Sequence, residues 1–139
     1  MTSNRWSVLF VCVSNRGKSV MAEGLARSVA ANMLDPSSAG TEAKLGVAPN
    51  AQSVQVLDEV NVDVSEHRPS QLTDEMMRAA DLVVVIGTSA HVSAPEGVAL
   101  EVWDTDEPSL RGIDGMDRMR LIRDDITTRI RDLVERIGQ

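Results

Sequence analysis

Residues 8–19 constrain the fold most, because they place the only cysteine of the chain between an apolar strand pattern and the start of a helix. Residues 8–11 are all apolar and mostly β-branched or aromatic, which predicts a buried strand ending at Cys12. The loop that follows contains Ser14, Asn15 and Gly17, residue types that tolerate unusual backbone angles. A helix is predicted over residues 20–33, opened by Ser19. Its apolar face consists of Met21, Leu25, Val29 and Met33.

This arrangement predicts an oxyanion site around Cys12. A strand, a tight loop and a helix N-terminus together direct several backbone N–H groups at one point, and the helix dipole adds to their attraction for an anion. Open α/β sheets bind their ligands at the carboxyl ends of strands, which is where Cys12 lies. The same partial positive charge favours a thiolate, so we interpret Cys12 as a nucleophile and not as a small core residue.

Composition excludes several other classes of function. A net charge of −7 argues against nucleic acid as the main partner, and 2% aromatic residues leave little for stacking. No apolar run has the length of a membrane span, and the N-terminus lacks the apolar region of a signal peptide. A single cysteine allows no internal disulfide, which suits a reducing compartment, and we expect a cytoplasmic protein. The length suits one domain, residues 1–139.

The remaining pattern alternates strands with helices, which predicts an α/β fold with a parallel sheet covered on both faces. Further strands are expected over residues 38–41, 82–87 and 99–103, with residues 35–38 read as a stop after the first helix. Asn50 and Thr73 are expected to cap two helices. The last helix is predicted over residues 115–136. Its inward stripe is Met119, Ile122, Ile126, Ile130, Leu133 and Ile137.

Several motifs in this order resemble the low-molecular-weight protein tyrosine phosphatase superfamily, which includes arsenate reductases. The resemblance covers nearly the whole chain. It rests on residues 8–19 with Met21-Ala22-Glu23, on Ser38-Ala39-Gly40-Thr41, on Val62-Asp63-Val64-Ser65-Glu66-His67, and on the acidic loop before Pro108. It implies a three-layer α/β/α fold with a four-stranded parallel sheet, a nucleophilic Cys12, and a proton-donating acid in the late loop.

The chain departs from the family pattern at three places. Lys18 stands where the family has an arginine, so a point charge replaces a two-pronged guanidinium, with Arg16 inside the loop as a less favoured substitute. Glu107 precedes the proline where the family has aspartate, and either Glu107 or its neighbour Asp106 could be the general acid. Residues 87–94 contain no cysteine, unlike thioredoxin-coupled arsenate reductases, so this chain has no internal disulfide relay.

The loop sequence Gly17-Lys18-Ser19, in a chain without tyrosine, resembles that of the single-cysteine arsenate reductases of actinobacteria. That resemblance implies an arsenate reductase in which mycothiol is the co-substrate and a mycoredoxin or glutaredoxin-like protein completes reduction to arsenite. The alternatives are a low-molecular-weight phosphatase acting on phosphomonoesters and a weakly catalytic oxyanion-binding module. Two histidines are a poor ligand set, so neither a metal nor a bound cofactor is expected.

The predicted site therefore has a catalytic part and an oxyanion-binding part. In the catalytic part, Cys12 attacks the oxyanion, Glu107 or Asp106 protonates the departing oxygen, and the hydroxyl of Ser19 helps to hold the thiolate. Asn15 is expected to order the loop by bonding its own backbone, with a left-handed conformation as one option. His67 and His91 are interpreted as surface residues. The residues predicted to bind the oxyanion are Val13, Ser14, Asn15, Arg16, Gly17, Lys18 and Ser19.

Overall fold

A computed structural model describes residues 5–138 and contains a four-stranded, fully parallel sheet in the order β2-β1-β3-β4. The strands are β1 (Trp6–Cys12), β2 (Leu34–Gly40), β3 (Leu82–Ile86) and β4 (Leu100–Trp103). The helices are α1 (Lys18–Val29), α2 (Ala51–Asp58), α3 (Asp74–Ala79) and α4 (Gly115–Ile137), with a short 3-10 helix at Pro108–Arg111. The predicted α/β class is confirmed.

Both central strands are buried on both faces, as their unbroken apolar sequences predict. Val8 and Phe10 of β1 pack into a large cluster with α1, α2 and α4. Leu9 and Val11 alternate with them and pack into a smaller cluster with Met77 of α3. The side chains of β1 therefore join two helical layers through the sheet, which gives the three-layer arrangement.

The edge strand β2 differs from its predicted extent. It begins at Leu34 and not at Ser38, so Asp35 and Pro36 lie inside a strand and not in a stop. Proline cannot donate to a sheet ladder, but β2 pairs only with β1, and an edge strand tolerates the missing N–H group. The preceding helix is correspondingly shorter, since α1 ends at Val29 and not at Met33, and Val29 is 40% exposed.

The remaining helices follow their sequence signals closely. The Asn50 side chain accepts a hydrogen bond from the Ser53 amide at the start of α2, and Thr73 accepts from the Met76 amide at the start of α3. In α4, the predicted stripe from Met119 to Leu133 is buried, and its last member, Ile137, is partly buried against the core.

Strand order places a crevice at the end of β1. β2 pairs with one side of β1, and β3 pairs with the other side. The connections to these two neighbouring strands therefore lead away from β1 in opposite directions. Such a switch point opens a crevice at the carboxyl ends of the strands. Cys12, the last residue of β1, lies at that point.

Candidate active site

Hydrogen bonds from the surrounding chain to its carbonyl groups hold the loop after β1 in place. Each carbonyl of residues 12–16 accepts a hydrogen bond from the surrounding chain, at 2.8–3.1 Å. In order, the donors are the amides of Thr41, Glu42 and Lys44, Nε2 of His67 and the amide of Asn50. The amides of residues 13–15 and 17–19 have no protein acceptor within residues 5–138. The loop thus uses its acceptors for structure and leaves its donors for a ligand.

The sulfur of Cys12 lies beside the first turn of α1. Cys12 is 8% exposed, and its Sγ is 2.9 Å from Oγ of Ser19, as the predicted role of Ser19 requires. Ser19 itself is fully buried. The helix start adds its partial positive charge at the same place, because first-turn amides have no acceptor within the helix.

The side chain of Asn15 determines how the protons of this network are placed. Its Oδ1 accepts from the Ser70 amide at 2.9 Å, so its Nδ2 is the donor to Ser19 at 2.8 Å and to Ser38 at 3.0 Å. Since Ser19 accepts from Asn15, its own proton is free for the sulfur of Cys12, which as a thiolate can only accept. In the same way, Ser38 accepts from Asn15 and donates its own hydroxyl hydrogen bond to the carboxylate of Glu23.

Asn15 has a left-handed backbone with φ of 57°, the option that the sequence left open. Its side chain, however, bonds distant residues and not its own backbone as expected. His67 is half-buried rather than a free surface residue: its Nε2 lies 3.0 Å from the Asn15 carbonyl oxygen and 3.2 Å from Oδ1. Both of those atoms are acceptors, so Nε2 of His67 carries a proton. His91 is exposed, as expected.

A cleft of about 370 Å³ opens over the sulfur. Its walls come from the cysteine loop, from residues 86–90 after β3, and from the segment after β4 that ends at Leu110. Lys18 extends across it, so that its Nζ is 3.9 Å from Oε1 of Glu107. A cation in this position can neutralise part of the charge of a bound oxyanion.

Glu107 lines the cleft, but the charge of its carboxylate is compensated by Arg118 on the side away from the cleft. Arg118 of α4 donates two hydrogen bonds to its carboxylate, at 2.7 and 2.8 Å, and Ser109 Oγ donates a third at 2.7 Å. The hydrogen bonds from Arg118, more than any other cause, lower the pKa of Glu107 from 4.5 to about 2. A carboxyl group ionised so firmly is a poor proton donor near neutral pH, which argues against the acid role predicted for Glu107.

Two other predicted residues point elsewhere. Asp106 is paired with Arg111 through two hydrogen bonds of 2.7 and 2.9 Å, which lower its pKa, and it does not line the cleft. The structure therefore does not bring Asp106 to the cleft, and its role as an alternative acid stays a prediction. The Arg16 side chain donates to the Ala48 carbonyl at 2.7 Å, away from the sulfur, so only its backbone belongs to the loop.

Sequence reasoning missed several residues that the fold brings to this site, besides residues 86–90 and Leu110 of the cleft wall. Ser38 and His67 support the loop through Asn15, and Asp104 and Thr105 form part of the cleft wall. The segments 38–41 and 65–67 were identified as motifs in the sequence, but their contacts with Asn15 depend on how β2 and the chain near Ser70 pack.

We expect the Arg118→Met variant to raise the pKa of Glu107 from about 2 toward 4.5, because the two guanidinium hydrogen bonds are lost. NMR titration of the Glu107 carboxyl group measures this shift. Since the folded-state pKa lies below the ordinary value, the pair stabilises the fold above pH 4.5, and that contribution is lost as the pH falls toward 2. Arg120→Met, which breaks a pair with Glu59, is the matched control. An unchanged Glu107 titration in Arg118→Met would contradict the assignment.

A parallel sheet with a cysteine at the end of its first strand and a loop of unpaired amides around it is typical of proteins that hold a tetrahedral oxyanion against a sulfur. Residues 7–139 match the family model described as low molecular weight phosphotyrosine protein phosphatase, and the chain belongs to that family. The family resemblance and the four-stranded fold expected from the sequence are thereby confirmed.

Individual relatives carry two kinds of name. An arsenate reductase of Halalkalibacterium halodurans is 34% identical, over 95% of this chain and 97% of that protein. The structure of a Corynebacterium glutamicum thioredoxin-dependent arsenate reductase superposes with a TM-score of 0.78 at 29% identity. That match covers 99% of this chain but only 64% of the longer relative. A low molecular weight protein tyrosine phosphatase from T. tengcongensis has a TM-score of 0.76 at 28% identity, with 94% of this chain and 99% of that one covered.

Two further findings concern residues 5–138. No helix there is long and apolar enough to cross a membrane. The same residues include no group of three or more His, Cys, Asp or Glu side chains placed to hold a metal ion.

Proposed function

We propose that this protein reduces arsenate, with Cys12 as the nucleophile and an external thiol as the reductant. The observation that carries the proposal is the cysteine loop itself: the carbonyls of residues 12–16 all accept hydrogen bonds, while the amides of residues 13–15 and 17–19 have no acceptor within residues 5–138. Relatives that are 30–34% identical over most of this chain are named arsenate reductases, which supports arsenate as the oxyanion.

The cleft favours a small oxyanion over an aryl phosphate ester. None of the residues that line it in the described part of the chain is aromatic. The chain has only three aromatic residues. Phe10 and Trp103 are buried in the core, and Trp6 lies at the opposite end of β1 from Cys12. A phenyl ring would therefore have no aromatic side chain to stack on.

In the first step, the unpaired loop amides and Lys18 bind arsenate and hold the arsenic in line with the sulfur of Cys12. The Ser19 hydroxyl and the start of α1 stabilise the thiolate before attack. A sulfur–arsenic bond forms, and an arsenic–oxygen bond breaks on the opposite side. The departing oxygen takes up a proton and leaves as water, while arsenic stays pentavalent.

The second step needs a thiol from outside, because this chain has one cysteine. A small thiolate such as mycothiol attacks arsenic, the bond to Cys12 breaks, and the Cys12 thiolate is regenerated. A mycoredoxin or glutaredoxin-like protein then attacks the sulfur of the released adduct. Arsenic leaves as arsenite with the electron pair, and a mixed disulfide remains on the redoxin. The proposal thus includes mycothiol as a co-substrate and no bound cofactor.

The test is an arsenite-release assay in which reductant systems are supplied one at a time. Mycothiol with a mycoredoxin, glutathione with a glutaredoxin, and thioredoxin with its reductase are the three arms. We expect arsenite in the mycothiol arm and little in the others. Turnover with thioredoxin alone would overturn the thiol assignment, and the absence of arsenite in all arms would overturn the proposed function.

A second candidate is the hydrolysis of phosphomonoesters, which the family description and the T. tengcongensis relative favour. It uses the same Cys12 but needs water, not thiol, to complete the cycle. Thiol-independent phosphate release from phenyl phosphate, faster than arsenate turnover, would identify this activity. Phosphate binding without turnover of either substrate would instead indicate the oxyanion-binding module.

A further inference from the structure

A second pocket, of about 140 Å³, borders the cysteine loop and shares two lining residues, Gly17 and Lys18, with the cleft over Cys12. Its walls come from the segments 17–21, 50–53 and 118–122, where the first turns of α1 and α2 meet α4. We call it the α2–α4 pocket. A ligand in this pocket would therefore lie against the loop that receives the oxyanion without entering the cleft itself.

The polar side chains at the α2–α4 pocket present hydrogen-bond donors that lack good acceptors. Oδ1 of Asn50 accepts from the Ser53 amide, and the Nδ2 group of Asn50 has no acceptor within residues 5–138. The side-chain amide of Gln52 makes no hydrogen bond there either. Arg118 uses Nε and Nη2 on Glu107, but its Nη1 has only the thioether sulfur of Met119, at 3.6 Å, which is a weak acceptor. These donors are available to a ligand.

The charges around the pocket favour an anion. Lys18 and Arg118 line it, and none of its described lining residues is a carboxylate. Glu107 and Asp114, which attract Arg118, lie outside that lining. Asn50 is the N-cap of α2, so the pocket also receives the partial positive charge of a helix start. The pocket can therefore attract an anion through its own groups although the chain has a net charge of −7.

The floor of the pocket is apolar. It consists of Met21, Met119 and Ile122, all of which belong to the buried core. An inorganic ion gains nothing from such a surface, whereas a short hydrocarbon chain is removed from water there. The pocket thus suits a ligand with an oxyanionic head at one end and a few carbon atoms at the other.

We propose that the α2–α4 pocket is an inhibitory site for a small organic anion. The oxyanionic head, a carboxylate or a phosphoryl group, binds Arg118 and the start of α2, and the hydrocarbon part lies on the apolar floor. The occupant places negative charge beside Gly17 and Lys18, so it weakens the binding of an oxyanion in the adjacent cleft. By linkage, an oxyanion in the cleft weakens the organic anion by the same factor. The inference needs oxyanion binding at the cysteine loop but not arsenate turnover.

The test uses butyrate and propylphosphonate, which carry the same three-carbon chain on the two kinds of head, with acetate as the control without that chain. NMR titration follows the side-chain amide signals of Asn50 and Gln52. We expect saturable shifts with at least one of the two probes, and the tighter of them identifies the head. If butyrate is bound, its affinity should exceed that of acetate roughly fivefold, because two further methylene groups are buried. Shifts with neither probe would overturn the inference.

Charge substitutions at Gln52 locate the site. Gln52→Glu should weaken the bound probe roughly fivefold, since it adds a like charge and removes a donor, and Gln52→Lys should tighten it. Gln55→Glu is the matched control, because Gln55 is exposed on the same helix and does not line the pocket. An acid in the first turn of α2 stabilises the helix, so urea unfolding should show that Gln52→Glu is no less stable than the wild type. Weaker binding then cannot be attributed to a loss of fold.

Calorimetry with inorganic phosphate measures the coupling to the cleft. A saturating probe should weaken phosphate binding by roughly twofold to threefold in the wild type and in Gln55→Glu. Equal probe affinity in Gln52→Glu and Gln55→Glu, or complete displacement of the probe by phosphate, would place the probe in the cleft and overturn the inference. Either result leaves the proposed arsenate reduction untouched. Conversely, absence of arsenite in every reductant arm overturns the proposed function and does not affect these binding measurements.

Discussion

We expect Cys12→Ser to abolish arsenate consumption while the free energy of unfolding changes by less than about 1 kcal/mol. The activity should fall by on the order of 10³-fold or more, since a hydroxyl without an adjacent base is a far weaker nucleophile than a thiolate. The fold should survive because serine is close in shape to cysteine. Its hydroxyl can also keep the contact with Ser19, now 2.9 Å from the sulfur. Arsenite release and urea unfolding measure the two halves.

Because the chain has one cysteine, a thiol reagent provides the control for this variant. The wild type should react with one equivalent of reagent, and the variant with none. Arsenate-dependent oxidation of the thiol that persists in Cys12→Ser would remove the cysteine from the mechanism. A large fall in stability would show that Cys12 is structural.

Gly40→Ala should displace the backbone of the cysteine loop, which packs against β2. A Cβ atom at residue 40 would lie 2.6 Å from the Val13 carbonyl oxygen and 2.9 Å from the Asn15 nitrogen, so the loop backbone must move. We expect a loss of about 1–3 kcal/mol in stability, as for other overpacked sites. Activity should fall by roughly 10²-fold, because a shift of about 1 Å in a catalytic geometry has that effect.

The matched control is Ser37→Ala, an exposed position on the same strand, which should leave both quantities near their wild-type values. Urea unfolding measures the stability, and phosphate binding reports the geometry of the loop without requiring turnover. Wild-type phosphate affinity and activity in Gly40→Ala would contradict the close packing of β2 against the loop.

Local patterns predicted the elements whose environment is uniform. The apolar runs of β1 and β3 are buried on both faces, so periodicity and burial agree along their whole length. The apolar stripe of α4 was predicted correctly for the same reason, since its periodicity agrees with its burial. β2 was predicted too short because its Asp-Pro-Ser start looks like a turn, and only its edge position makes that sequence acceptable in a strand.

The acidic segment after β4 shows the limit of such reasoning at the site. Sequence neighbours there look alike, yet Asp106 pairs with Arg111 outside the cleft, whereas Asp104 and Glu107 line the cleft and Glu107 is paired with Arg118. Arg118 is on a different element, and its position relative to Glu107 depends on how α4 packs. No local pattern contains that information.

The sequence by itself determined the α/β class, the position of the cysteine at a strand end, and the polar loop that leads into a helix, because each depends on contiguous residues. The tertiary structure decided which groups face that cysteine. The loop carbonyls are held by residues 41–50 and by His67, and Asn15 is fixed by Ser38 and Ser70. Hydrogen bonds and ion pairs act over a few ångströms, so their partners are set by the packing of distant segments and not by spacing along the chain.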